Sequence, residues 1–128
     1  MDDFESLIKK GDEAYRKDRY EQAICYYEDA FKLASDGNKN KLMPILPMMS
    51  RCYRQMGCSD TVIKLAKDAK EKFGPNFISS VFLTSIAAAY LDLNKKSEAR
   101  KCVDAAKKKL KGDKIPPPLQ LVIDKLEG

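Results

Sequence analysis

The sequence predicts an all-α protein: three copies of one helix–turn–helix unit, closed by a C-terminal capping helix. Three observations carry that expectation. Turn residues recur at Asp18, Gly57 and Asn94, 39 and 37 positions apart. Small apolar residues stand five positions after each turn (Ala23, Val62, Ala99), and alanine stands twelve after it (Ala30, Ala69, Ala106). Apolar residues on both sides of the turns keep three- and four-residue steps, the rhythm of a helix that buries one face. Self-similarity at such a period marks stacked supersecondary units.

The first unit spans about residues 4–35. Phe4, Leu7, Ile8, Gly11, Ala14 and Tyr15 form its first stripe; Ala23, Ile24, Tyr27, Ala30, Phe31 and Ala34 form its second. Small residues opposite aromatic ones let two antiparallel helices approach closely while a ring fills the space beside them. The second unit, about 43–73, opens on LMPILPMM. A proline fits the first helical turn, whose N–H groups have no partner, so its helix is expected to begin near Leu42–Pro44, with Pro47 in an irregular first turn. The third unit spans about 78–111. KIPPP (Lys114 to Pro118) then stops all helix, and Leu119, Val122, Ile123 and Leu126 supply a last stripe over about 117–127. An open end of stacked hairpins exposes apolar surface, so this stripe reads as its lid.

The 128 residues suit one domain with a modest core. A hydrophobic content of 44% with 34% charged residues argues against disorder. No apolar run approaches the roughly 20 residues of a membrane span. The N-terminus is acidic before it is apolar, which is wrong for a secretory signal, so a cytoplasmic chain with reduced thiols is expected. The net charge of +5 is unevenly distributed. Residues 1–40 carry seven Lys/Arg against ten Asp/Glu, and residues 95–114 carry nine against three.

The pattern resembles the tetratricopeptide repeat, a helix–turn–helix unit of about 34 residues. Gly11, Ala14, Tyr15, Tyr20, Ala23, Tyr27 and Ala30 match its signature places in the first unit. Leu46, Tyr53, Gly57, Val62, Ala66 and Ala69 match in the second; Leu83, Ala87, Tyr90, Ala99 and Ala106 match in the third. The units here are longer, and the family's closing proline is replaced by Ser35 and Gly74, with SDGNKNK (Ser35 to Lys41) and KFGPN (Lys72 to Asn76) absorbing the extra length. The resemblance implies a right-handed α-solenoid whose first helices line a concave groove for a protein or peptide segment. The family's groove positions fall on Ile8, Asp12 and Tyr15, on Pro47, Arg51 and Arg54, and on Thr84, Ala88 and Leu91. Arginine holds a carboxylate bidentately, which singles out Arg51 and Arg54. The subclass that clamps chaperone tails uses a lysine and asparagines. Ile8 and Asp12 stand at the corresponding places, and an acid there repels a carboxylate.

Chemistry finds little footing. The chain has no histidine, which excludes Ser-His, Cys-His and His-metal constellations. No glycine-rich loop cradles phosphate. Adjacent carboxylates at Asp2/Asp3 and Asp12/Glu13 point apart on a helix. No enzyme activity, metal or cofactor is therefore expected. Cys52 and Cys102 read as small apolar fillers and Cys58, in a turn, as the exposed thiol. Tyr20, Tyr27, Tyr53 and Tyr90 fall on packing places, whereas Tyr15 and Tyr26 are freer. Lys107, Lys108, Lys109 and Lys111 form a basic patch that complements a helix C-terminus or attracts a nucleic acid or another anionic surface. An imperfect lid would also let a second copy cover apolar area, giving a homodimer.

Overall fold

A computed structural model of the chain describes residues 3–34 and 39–128 and, among these, contains helices and no strand. The all-α expectation holds. Its contacts divide into two compact units, Met1–Cys58 and Ser59–Gly128. One domain was expected over 1–128, and the division into units falls inside the second expected hairpin. Ser35 and most of the SDGNKNK connection lie outside the described residues, as does Asp2.

The first unit contains α1 (Phe4–Arg16), α2 (Tyr20–Ala34), the short α3 (Lys39–Leu42) and α4 (Ile45–Gln55). Asp3 caps α1 by accepting the Ser6 N–H at 2.8 Å, satisfying one of the donors a helix start leaves free. α1 packs on α2, and α2 on α4. Between α1 and α2 sits the tightest contact of the hairpin. A Cβ placed on Gly11 would come within 2.5 Å of Tyr27 Cε1, so the ring lies directly on the glycine. Ala14, Ala23, Ala30 and Ala34 flank it, all buried, and Leu42, Ile45, Leu46, Met49 and Cys52 complete the core.

α4 starts at Ile45, slightly later than the sequence suggests, because α3 and a turn at Met43–Pro44 come first. Neither Pro44 nor Pro47 can donate a backbone N–H, so a continuous ladder through this stretch is impossible. The Leu46 N–H reaches Met43 O at 3.3 Å instead, tightening the entry to α4.

The second unit holds α5 (Ser59–Phe73), a 3₁₀ turn (Pro75–Phe77), α6 (Ser80–Asp92), α7 (Lys96–Leu110) and α8 (Pro117–Glu127). Ser79 caps α6 through the Phe82 N–H at 3.1 Å. α6 packs on α5 and on α7, and α8 contacts both α6 and α7. Leu119, Val122, Ile123 and Leu126 of α8 share one cluster with Ala87, Ala88, Ala99, Val103 and Ala106. The last apolar stripe is thus a covering helix over the span expected. Pro117 stands in its first turn, where a missing N–H costs nothing.

The small-residue rhythm is the packing rhythm: Ala23, Val62, Ala99, Ala30, Ala69 and Ala106 are all buried. The turns repeat in equal detail. Asp18, Gly57 and Asn94 adopt φ of 60°, 76° and 63°. After each, the next N–H bonds back to a carbonyl five residues earlier: Arg19 to Ala14 at 2.9 Å, Cys58 to Tyr53 at 2.8 Å, Lys95 to Tyr90 at 2.8 Å. The αL residue's own N–H bonds three residues back, to Tyr15, Arg54 and Leu91, each at 3.0 Å. Together these bonds make a Schellman motif, which satisfies the orphan carbonyls of a helix end and reverses the chain. Among the described residues no helix is long and apolar enough to cross a membrane.

Candidate functional site

The richest cluster of polar and aromatic groups in the first unit forms where α1, α2 and α4 present Asp12, Tyr15, Tyr27 and Arg51. Asp12 and Tyr15 lie three apart and so share a face of α1. The Arg51 guanidinium carbon stands 4.9 Å from the Tyr15 ring centroid, a cation–π arrangement. The Tyr15 ring in turn meets Tyr20 edge-to-face, with centroids 5.5 Å apart. The Tyr20 hydroxyl donates to Asp18 Oδ1 at 2.9 Å, and that hydrogen bond leads the influences that raise the Tyr20 pKa. A chain of contacts thus runs from an exposed guanidinium through two rings to the first turn.

Behind it, the Tyr27 hydroxyl donates to Asp12 Oδ1 at 2.6 Å. Burial, reinforced by that carboxylate, pushes the Tyr27 phenol well above its ordinary range. The hydrogen bond occupies one Asp12 oxygen and locks the ring over Gly11. Beside them Cys52 is fully buried, and burial raises its thiol to about 11. Cys102, half-buried, rises to about 11 for the same reason. A reactive cysteine needs a lowered pKa; these two are held as neutral fillers. Tyr53 donates to Glu28 at 3.3 Å.

The expected groove residues meet different fates. Asp12, Tyr15 and Arg51 converge, and Ile8 is half-buried on the same helix as the first two. Arg54 is half-buried and already engaged in an interaction. Pro47 is buried and offers no surface to a ligand, because the α4 entry turns its ring inward. In the second unit Ala88 is 7% exposed and belongs to the cluster covered by α8, while Leu91 packs against that cluster. Both sit where the covering helix, rather than a ligand, takes up the apolar face. The Thr84 hydroxyl donates to Ser80 O at 2.9 Å. Lys107, Lys108, Lys109 and Lys111 are exposed at the end of α7.

Sequence reasoning missed three features. Tyr15, expected to be freer, is held between Arg51 and Tyr20; the signal was Arg51 itself, since a guanidinium stacks on any ring within reach. Of the tyrosines expected to pack, only Tyr27 is fully buried. Tyr20 and Tyr53 keep part of the ring outside so that their hydroxyls reach acids. The exposed thiol is Cys25, not Cys58, which is half-buried with its Sγ 3.7 Å from Met56 O. The Schellman turn draws Cys58 inward, whereas Cys25 lies on the outer side of α2 between the buried Ile24 and Tyr27. A shallow cleft of about 260 Å³ opens elsewhere on the first hairpin, lined by Lys10, Glu13, Ala14, Lys17, Arg19, Gln22 and Tyr26. No protein-family model matches the sequence, and no curated protein matches it.

Proposed function

We propose that the protein is a non-enzymatic interaction module of the tetratricopeptide kind, three hairpins in a right-handed solenoid with α8 as cap, that holds an acidic peptide or protein segment. Three equivalent Schellman turns support the repeat reading, as do six buried small residues at fixed offsets from them. The observation that carries the binding reading is Arg51: exposed, yet held with its guanidinium carbon 4.9 Å from the centroid of a ring that is itself braced by Tyr20. Stacking restricts the side chain before a ligand arrives. Less rotamer entropy is then lost when its N–H fork meets a carboxylate. Asp12 has one oxygen tied to Tyr27 but keeps its negative charge, so it opposes a carboxylate on its own side of the site and leaves the Arg51 side for one.

The test is selection of random peptides displayed on phage against the wild type and against Arg51→Glu. Asp and Glu should enrich at one position on the wild type and give way to Lys and Arg on the variant. Identical selections on both proteins would remove Arg51, and the site with it, from the reading.

A further inference from the structure

α7 carries far more positive than negative charge on one exposed face. At about 100° per residue, Lys96, Arg100, Lys101, Lys107 and Lys108 fall within an arc of about 140°, in which Asp104 is the sole acid. All five cations are exposed. Lys107 and Lys108 lie in the last turn, where they complement the negative end of the helix dipole. Lys96 lies in the first turn, where the dipole opposes a cation, and Arg100 and Lys101 lie beyond it, where the dipole contributes little. Asp104 stands three or four positions from Arg100, Lys101, Lys107 and Lys108 and attracts each modestly, yet one acid among five cations leaves the face strongly positive.

We infer that this face of α7 binds the phosphodiester backbone of double-stranded nucleic acid without reading its sequence. Arg100/Lys101 and Lys107/Lys108 form two cationic pairs two turns apart, about 10 Å along the axis. A duplex carries one charge per about 1.7 Å of its length, so both pairs meet phosphates together. α7 has no aromatic side chain to stack on bases, which leaves charge as its means of recognition. A lipid surface fits less well. Helices that lie in a membrane interface bury an apolar face there, and the apolar face of α7 (Ala99, Val103, Ala106) is already committed to the core under α8.

The experiment is fluorescence anisotropy of a labelled duplex of about 20 base pairs, titrated with the full chain between about 50 and 200 mM salt. Four phosphate contacts predict a slope of log K against log salt near −3.6 (about −0.9 per contact). Arg100→Gln/Lys101→Gln should flatten that slope by about 1.8 and weaken binding at 50 mM salt at least about tenfold, with helicity by circular dichroism unchanged. A control pair on α5, Lys64→Gln/Lys67→Gln, removes the same charge from other exposed positions and should leave the slope intact. Absence of binding at 50 mM salt overturns the inference, as does an equal loss in the control pair. Competition by phosphatidylserine vesicles as strong as by unlabelled duplex at equal charge would assign the face to lipid instead.

Discussion

Gly11→Ala isolates the contact on which the first hairpin rests. On a solvent-facing helix position this change stabilises by about 1 kcal/mol, because alanine is the better helix former. Here the added carbon would stand 2.5, 2.7 and 2.9 Å from three atoms of the Tyr27 ring. Ordinary carbon contacts lie near 3.5–4.0 Å, so the ring must retreat by about 1 Å. It has no room, being 1% exposed, and its hydroxyl is tied to Asp12 at 2.6 Å. Overpacking of this kind costs about 1–3 kcal/mol. Stretching the buried hydrogen bond adds about 1–2 kcal/mol. Against the helix gain, the net loss is about 1–4 kcal/mol. Urea unfolding followed by far-ultraviolet circular dichroism would read it as a lowered midpoint. A companion substitution sharpens the test: in a Tyr27→Leu background the same Gly11→Ala change should cost little or stabilise, since the ring is gone. A Gly11→Ala protein as stable as the wild type, or an equal penalty in both backgrounds, would refute the reasoning.

Asn94→Gly relieves a side chain of its φ of 63° and should raise stability by roughly 0.5–1 kcal/mol, whereas Asn94→Val should lower it by more, both seen as shifts of the thermal midpoint. Leu119→Ala, at a site 1% exposed on the inner face of α8, should cost about 2–5 kcal/mol by urea titration. Cys52 and Cys102 both rise from 9.0 to about 11 on folding. Their stabilising contribution is complete below pH 9 and is lost between about 9 and 11, as the unfolded thiols ionise first. Urea midpoints at pH 8 and 10.5 should therefore fall less steeply for Cys52→Ala/Cys102→Ala than for the wild type.

Much of the helical scaffold could be read from residue types because the same physics repeats. A turn that reverses a helix needs one residue in the left-handed region, and glycine, asparagine and aspartate tolerate it best; Gly57, Asn94 and Asp18 announced the three places. A contact too close for a larger side chain needs alanine, so Ala30 and Ala106 could be placed in the core from spacing alone. Pro116, Pro117 and Pro118 fixed the start of α8. What could not be read depends on geometry across helices. Nothing local to Tyr15 tells that Arg51, 36 positions along, will lie over its ring. Cys58 is half-buried where an exposed thiol was expected, because a turn's inward side depends on its backbone bonds, not on its composition. Ala88 and Leu91 looked available for a ligand because the stripe of α8 gives no hint of which face of α6 it will cover.

At each of the three reversals the bonds that close the turn run between main-chain atoms, and the residue at its apex (Asp18, Gly57 or Asn94) is exposed. The bend is accordingly a property of the peptide backbone, sensitive to the apex residue chiefly through its tolerance of the left-handed region. A reporter at Asn94 must therefore sit on a residue that accepts the left-handed backbone, and an inserted tag there would displace the bonds from Asn94 and Lys95 that close the bend.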